Sequence, residues 1–419
     1  IYPIKELMKN GGSYSSVEIS KKNMILAVVL TMVAGLLRLC KANDINVSLD
    51  EIGTLAGAAY TSGRDWSSVM AATRYYGVGF YWIYGIFFRV ITNPYILALA
   101  IYIANWVCVS LMAILIYQML VKQLYMKDCW YTVMVAAFPG MIYPYANWNY
   151  ISNDVPVYCA YWLLIYWSIL AYTKSDNVRG KRFYSVLTAV AMGYLLTVHE
   201  KSMAVWIAVI LGILLFKLIF GEFIVLPVFF TGTSVITYVI ARIIKEAAII
   251  QFWSQTESLA NTSAFSSTTS FLFNKLLGWK IMWDIVVTNF ILLNEKTFGL
   301  ISIAAVFCVY WLIKGLVRLF CGKRLGWTKT NKIRFFLILI SFIATAVVVV
   351  GVAVQWGPGV YKGYCKGMIG VSTRAYGYLR YYVAFTGPAI VAICSMLKYL
   401  LQRYRKMLYV ACAITIVLV

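Results

Sequence analysis

Long apolar runs without charged residues constrain this chain more than any other feature of its sequence. The first contains ILAVVLTMVAGLL, and similar runs recur along the 419 residues. Several approach or exceed the length of about 20 residues that a helix needs to cross the ~30 Å hydrocarbon core of a bilayer. Apolar residues make up 62% of the chain and charged residues 12%, against about 45–50% and about 25% in soluble domains. The sequence therefore predicts an all-α, polytopic integral membrane protein.

Hydropathy predicts about 11 transmembrane helices. Apart from the first run, they are expected at 95–120, 129–145, 155–172, 183–198, 202–220, 223–240, 299–313, 335–354 and 383–400, and from 408 onward. The aromatic segment Tyr75–Ile91 ends at a charged residue and is short, so an interfacial helix is expected there.

Basic clusters predict the sidedness of the chain. Lys and Arg collect in cytoplasmic loops, and the clusters at Lys174–Arg182, Cys321–Arg334 and Gln402–Lys406 lie on the same side as Lys21 and Lys22 of the N-terminal segment only if Tyr75–Ile91 does not cross the membrane. The N-terminus is then cytoplasmic as well. The net charge of +22 reflects this bias, and we expect no nucleic-acid binding because no basic patch interleaves with aromatics on a soluble domain.

Acidic residues collect on the predicted outer side. The adjacent pair Asp50–Glu51 follows the first span, and it is either favourable charge at the start of the helix EIGTLAGAAY or a general base at the membrane surface. Asp154 lies at the mouth of the next outer loop, where it is either a helix N-cap followed by Pro156 or a functional carboxylate.

Cations on the same outer side indicate an anionic partner. His199 and Lys201 lie in a very short corner, where Lys201 either pairs with Glu200 at the interface or contacts a phosphate. The last outer loop carries Arg374 and Arg380 among many tyrosines. Because outer cations run against the usual charge bias, a lipid phosphate or pyrophosphate is the expected partner.

Cysteine and histidine counts limit the metal chemistry of the chain. The nine cysteines form no CxxC pair, and the single histidine, His199, excludes a multi-histidine metal site.

The order of these features resembles the membrane-embedded GT-C glycosyltransferases, in particular the protein O-mannosyltransferase and aminoarabinose transferase branch. The motif SLDEIG is similar to the acidic motif of their first outer loop, and YYGVGFYWIYGIFFRVITNPY resembles their interfacial segment. The stretch AAFPGMIYPYANWNYISNDVPVYCAYWL resembles their second acidic outer loop. LLTVHEKS and LRYYVAFTGP resemble a later turn and the entry to a late span.

The resemblance implies transfer of a sugar from a polyprenyl-phosphate donor to a glycan, lipid or protein acceptor on the extracytoplasmic or lumenal face, with inversion. It implies Asp50 as the general base, with Glu51 as the alternative base, and Asp154 as a residue that orients the acceptor. Donor phosphate would contact Lys201, His199, Arg374 and Arg380, and the lipid tail would contact Phe80, Tyr81, Trp82 and Phe87. Metal dependence stays open: no cofactor is certain, and a divalent cation (Mg²⁺ or Mn²⁺) would be held by Asp50 and Asp154.

The predicted organisation has four parts. Residues 1–22 form a cytoplasmic segment, and residues 23–242 form a GT-C-like transmembrane catalytic module with outer loops at 41–94, 146–154 and 199–201. An outer loop at 243–297 precedes C-terminal transmembrane helices at 298–419, which carry an outer loop at 355–382. Because the chain lacks an initiator methionine and ends in the apolar stretch ACAITIVLV, we expect it to be part of a longer protein.

Two alternatives to catalysis remain at this point. A transporter or flippase of lipid-linked sugars would also use outer cations, although transporters place charges at the bilayer midplane and are often built from repeats. A non-catalytic membrane scaffold subunit would share the architecture without needing the Asp50–Glu51 pair.

Overall fold

A computed structural model describes residues 19–40, 49–64, 66, 79, 81–146, 154–174, 177–199, 202–253, 276–321, 327–365 and 379–403. The regular elements in these ranges are thirteen helices. They are α1 Lys21–Cys40, α2 Leu49–Thr61, α3 Tyr81–Val90, α4 Pro94–Lys122, α5 Trp130–Ala146, α6 Asp154–Thr173, α7 Val178–Val198, α8 Ser202–Phe220, α9 Pro227–Trp253, α10 Leu276–Lys296, α11 Leu300–Phe320, α12 Lys329–Cys365 and α13 Leu379–Arg403.

Six of the described helices are long and apolar enough to cross a membrane: α4, α6, α8, the Pro227–Ile244 part of α9, the Leu300–Val317 part of α11 and the Lys329–Gly351 part of α12. The chain is an integral membrane protein. The predicted spans at 129–145 and 383–400 correspond to α5 and α13, whose apolar parts are shorter. The span predicted from 408 onward lies outside the described residues.

Helix α6 lies at the centre of the bundle. It packs against α7 and α4, and α7 also packs against α9, while α1 covers α4 and α5. In the C-terminal part α12 packs against α8, α10 and α13, and α13 returns to contact α5 and α6. The fully buried Tyr161 of α6 meets Phe385 of α13 edge to face, with ring centroids 5.2 Å apart. One continuous core therefore joins the N-terminal and C-terminal helices.

Helix starts follow the local sequence. Asn93 caps α4 by accepting hydrogen bonds from the backbone N–H groups of Tyr95 and Ile96, and Pro94 occupies the first helical position, where its missing N–H costs nothing. Asn177 caps α7 in the same way through Gly180 N. These caps fix where α4 and α7 begin.

Two predicted outer loops contain more helix than hydropathy indicates. Helix α9 continues to Trp253, and α10 occupies Leu276–Lys296 within the expected outer loop 243–297. Helix α12 likewise extends to Cys365, inside the expected outer loop 355–382. For α9 and α12 the reason is that hydropathy marks where a helix leaves hydrocarbon, whereas the helical hydrogen bonds continue past that depth. Helix α10 is a separate helix that packs against α12.

Candidate active site

The segment predicted to be the first outer loop contains two short helices, α2 and α3. Helix α3 has 10 residues, so it is about 15 Å long, half the thickness of a hydrocarbon core. It therefore does not cross the membrane, as the interfacial prediction requires. The hydroxyl of Tyr84 on α3 donates to Asn105 Oδ1 of α4 at 2.6 Å, in a buried contact. This bond holds the segment against the transmembrane bundle.

Arginines tie the ends of these two helices together. Arg64, just after α2, donates to the carbonyl oxygens of Phe88 and Ile91 at the end of α3. Arg89, in the last turn of α3, donates to the Thr61 carbonyl at the end of α2 at 3.1 Å. Each arginine thus donates hydrogen bonds to carbonyl groups that the end of the other helix leaves without helical partners.

Glycines set the register between α2 and α3. A methyl group at Gly57 would fall inside the ring of the buried Tyr81, and one at Gly85 would press on Thr61. The pairs 57/81 and 61/85 run in the same direction, so the two helices are roughly parallel. Asp50 precedes Gly57 by seven residues, so it lies about 10 Å closer to the start of α2. It is therefore beyond the start of α3.

One backbone hydrogen bond joins this segment to α7. Gly79 N, just before α3, donates to Thr197 O at 2.8 Å, and Thr197 is two residues from His199. The start of α2, with Asp50 and Glu51, extends past the same end of α3. The register and this bond together bring the middle of α2, at Gly57, close to the end of α7.

His199 and Asp154 belong to the same end of the bundle. Helices α6 and α7 are consecutive, joined by a short connection and packed together, so the start of α6 and the end of α7 lie side by side. Asp154 is the first residue of α6 and is 5% exposed, while His199 directly follows α7 and is partly buried. We call this the Asp154 end of the bundle.

The corner after α7 is tight. Ser202 N donates to His199 O at 3.0 Å, closing a turn directly before α8. Lys201, Arg374 and Phe80 lie outside the described residues. The helices that carry Asp50, Glu51, Trp82 and Arg380 are described, but their side chains are not. The roles assigned to these residues therefore stay predictions.

The aromatic residues of α3 do not all face lipid. Tyr81 was expected to contact a lipid tail, but it is fully buried against α2. Phe87 is half-buried and packs against the core. Among the described side chains of α3, the exposed apolar ones are Ile83, Ile86 and Val90, at helical spacing. A lipid tail at this helix would meet these aliphatic side chains, whereas the ring of Tyr81 is used for helix packing.

A metal site receives no support from the described side chains. Among the described residues, no three His, Cys, Asp or Glu side chains lie close enough to hold a metal ion. The Asp50 side chain is not among them, so the pairing of Asp50 with Asp154 around Mg²⁺ or Mn²⁺ is untested.

The other end of the bundle, which we call the basic end, carries polar residues that sequence reasoning did not single out. Asp128 accepts hydrogen bonds from Ser20 N at 2.7 Å, from Tyr117 OH at 2.5 Å and from the Asn23 side chain, and so joins α1, α4 and the start of α5. Burial acts to raise the pKa of Asp128, but these hydrogen bonds outweigh it and hold the pKa below its usual value.

A second cluster at the basic end surrounds Glu222. Its carboxylate accepts from Lys332 Nζ at 2.7 Å and from Tyr172 OH at 2.8 Å. Burial acts to raise the pKa of Glu222, but these two partners and the nearby Lys329 lower it overall. The only sequence signal for this cluster was its basic composition, which the positive-inside rule explains without a site.

Comparisons with known proteins identify no family for this chain. No family model matches it, and no curated protein matches it. Among solved structures, the chain is similar to the crystal structure of ArnT from Cupriavidus metallidurans bound to undecaprenyl phosphate, with 12% sequence identity and a TM-score of 0.39. The match covers 89% of this chain and 77% of that one. A likeness this remote carries no argument about the fold or the reaction of this chain.

Proposed function

We propose that this protein transfers a sugar from a polyprenyl-phosphate donor to an acceptor at the Asp154 end of the bundle, on the extracytoplasmic or lumenal side. The observation that carries the proposal is the docking of the first outer segment onto α7. The Gly79–Thr197 hydrogen bond and the α2–α3 register support the proposal that the helix of Asp50 and Glu51 shares this end with Asp154 and His199. In the proposed site, residues from three separate segments act together at one membrane surface.

Asp154 lies almost fully buried at the start of a membrane helix. A carboxylate that is 5% exposed at the start of a membrane helix is costly to desolvate unless it is partnered or has a use. Its position in the first turn of α6 offsets part of this cost through the helix dipole. In the proposed reaction Asp154 orients the acceptor.

The proposed chemistry needs a base and an anion site on opposite sides of the sugar. The acceptor hydroxyl oxygen attacks the anomeric carbon and its proton passes to Asp50, with Glu51 as the alternative base. The bond from the anomeric carbon to the phosphate oxygen breaks, and its electron pair leaves with the lipid phosphate. His199 and Lys201 at the α7–α8 corner, with Arg374 and Arg380, would stabilise that developing charge.

The test uses purified protein in lipid with radiolabelled polyprenyl-phosphate sugars. The native chain is compared with Asp50→Asn, and Glu295→Gln serves as a matched control because Glu295 is an exposed carboxylate paired with Lys296. We expect transfer or release of sugar by the native and control proteins, and donor binding without turnover by Asp50→Asn.

Other results would change the proposal. Equal turnover in Asp50→Asn would move the base to Glu51 or Asp154. Binding and movement of the lipid-linked sugar across the membrane without release would favour a transporter. If the native protein neither bound nor turned over any donor of this class, the proposal would be rejected and a scaffold role would remain.

A further inference from the structure

A cavity of about 160 Å³ lies among four helices of the C-terminal part. Its wall is formed by α10, α11, α12 and α13. Most side chains of the wall are apolar, among them Val286, Phe290, Leu293, Ile301, Phe342 and Val349. A protein cavity of ~150 Å³ with a similar apolar wall admits benzene, which has six carbon atoms. The cavity therefore has the size and the lining for a short length of hydrocarbon.

Three of the four polar residues in the wall are bonded to the protein. The hydroxyl of Tyr382 on α13 donates to Asn289 Oδ1 of α10 at 2.6 Å, and Asn289 Nδ2 donates to a carbonyl of its own helix at 2.7 Å. Ser341 Oγ of α12 accepts from Ala389 N of α13 at 3.0 Å. The fourth, Thr345, lies on α12, where a threonine hydroxyl can bond to its own helix. The wall thus offers little to hold a water molecule, which needs about two to four polar partners.

One side of the cavity reaches the surface of the bundle. Ala346 of α12 is exposed, and Val286 and Phe290 of α10 are half-buried. Leu293 and Ile301 are buried, with exposed fractions of 2% and 3%. The first three residues form the mouth of the cavity and the last two belong to its floor, so an occupant enters from outside the bundle between α10 and α12.

The mouth lies at the depth of the hydrocarbon core. Ser341 and Phe342 are near the middle of the apolar segment Lys329–Gly351 of α12, and Ala346 is about 6 Å further along the helix. Since α12 begins at the basic end, the cavity extends from the middle of this segment toward the Asp154 end. The protein is surrounded at that depth by lipid acyl chains, because the segment spans the ~30 Å hydrocarbon core.

We propose that this cavity binds the end of an acyl chain of a bilayer phospholipid, from the leaflet at the Asp154 end. Entry gains little from the hydrophobic effect, because lipid tails are as apolar as the side chains of the wall. The gain comes from dispersion contacts: an empty cavity leaves its wall without them, at a cost that rises with the cavity volume. Phospholipid chains are the most abundant hydrocarbon at this depth, so mass action favours them over scarcer lipids.

The experiment uses the full chain in phosphatidylcholine nanodiscs. A trace of phosphatidylcholine carries a photoactivatable diazirine at the end of one acyl chain, and labelled residues are mapped after illumination by mass spectrometry of peptides. We expect more label on the α10 and α12 residues of the wall than on the exposed residues Ile210 and Leu214 of the spanning helix α8. The same diazirine placed beside the head group should label the wall less, because the cavity lies deep in the membrane.

Two substitutions fill the cavity from opposite sides. Ala346→Phe on α12 and Val286→Phe on α10 each place a ring at the mouth and should lower the label on the wall by about tenfold, the factor that corresponds to filling about a third of the cavity. Val350→Phe adds the same ring to α12 at an exposed residue outside the wall, so it should leave the label unchanged. Because the two filling variants lie on different helices, misfolding of one leaves the other as a test.

Three results would overturn the proposal. The first is equal label on the wall and on the exposed face of α8 in the native protein. The second is unchanged label in both filling variants, or an equal loss in Val350→Phe. The third is loss of label on addition of polyprenyl phosphate in an amount too small to dilute the probe, which would assign the cavity to that lipid. These readouts report binding alone and do not depend on sugar transfer.

Discussion

At the basic end of the bundle, charged side chains join one helix to another, whereas at the Asp154 end the segment that carries Asp50 and Glu51 contacts α7 through a backbone hydrogen bond. Asp128 connects three segments, and Arg334 on α12 donates to Ser395 Oγ at 3.0 Å and to Ser395 O on α13. The Asp154 end instead receives a helical pair that is docked by the Gly79–Thr197 backbone bond. Asp128 and Arg334 are thus committed to structure, while Asp50 and Glu51 are carried by a separately docked segment.

The largest expected effect is a loss of turnover at the Asp154 end, in contrast to a loss of stability at the basic end. Asp50→Asn should lower turnover by about 10²–10⁴-fold, the usual contribution of a general base, and should leave the unfolding temperature unchanged. Asp128→Asn should do the opposite, with turnover per folded molecule kept and the unfolding temperature lowered. Turnover and thermal unfolding of both variants check this. If both variants lost turnover, or both lost stability, the two ends would not differ in the way proposed.

Removal of the Asp128 carboxylate should have the next largest effect. Asp128→Ala leaves the Ser20 N–H, the Tyr117 hydroxyl and the Asn23 amide without their acceptor, so we expect a loss of about 3 kcal/mol of unfolding free energy. Denaturant unfolding in mild detergent measures it. Asp128→Asn keeps one acceptor oxygen and should lose less; an equal loss in both would show that packing, and not hydrogen bonding, holds this end.

Displacement of the docked segment should affect turnover more than stability. A methyl group at Gly79 would overlap the Thr197 side chain, so Gly79→Ala should lower turnover by about tenfold by shifting α2 and α3. Thr197→Gly, combined with Gly79→Ala, should restore part of the activity because it removes the colliding atoms. Gly212→Ala on α8 is the matched control, since its new methyl would meet only ordinary packing distances. Unchanged turnover in Gly79→Ala would show that catalysis does not depend on the contact with α7.

The smallest expected effect is the acid sensitivity of the basic end. Asp128 and Glu222 have folded pKa values below the ordinary 3.8 and 4.5, so their contribution is complete above those ordinary values and is lost as the pH falls through the folded values. Unfolding temperatures should be level from about pH 7 to about pH 5 and should fall below about pH 4. Glu222→Gln should reduce the corresponding loss of unfolding free energy by less than ~1 kcal/mol, because Glu222 is half-exposed. A fall of the same size in Glu222→Gln and the native chain would assign the effect to Asp128 alone.

Consecutive residues were enough to predict the helical membrane architecture. An apolar run of membrane length must form a helix, because every backbone N–H and C=O in hydrocarbon needs a partner within the segment. The short interfacial helix α3, the start of α6 at Asp154 and the corner after α7 were read from local pattern in the same way. These features depend on neighbours in sequence, so they could be predicted without a structure.

Only the tertiary structure decided which distant residues meet. The register of α2 on α3 depends on Gly57 facing Tyr81, and the docking onto α7 depends on a bond between Gly79 and Thr197, more than a hundred residues apart. The burial of Tyr81 and the gathering of Asn289, Ser341 and Tyr382 around one cavity have the same origin. Hydropathy and charge fix the depth and the side of the membrane at which a residue lies, but the shapes of the packed helices fix its neighbours.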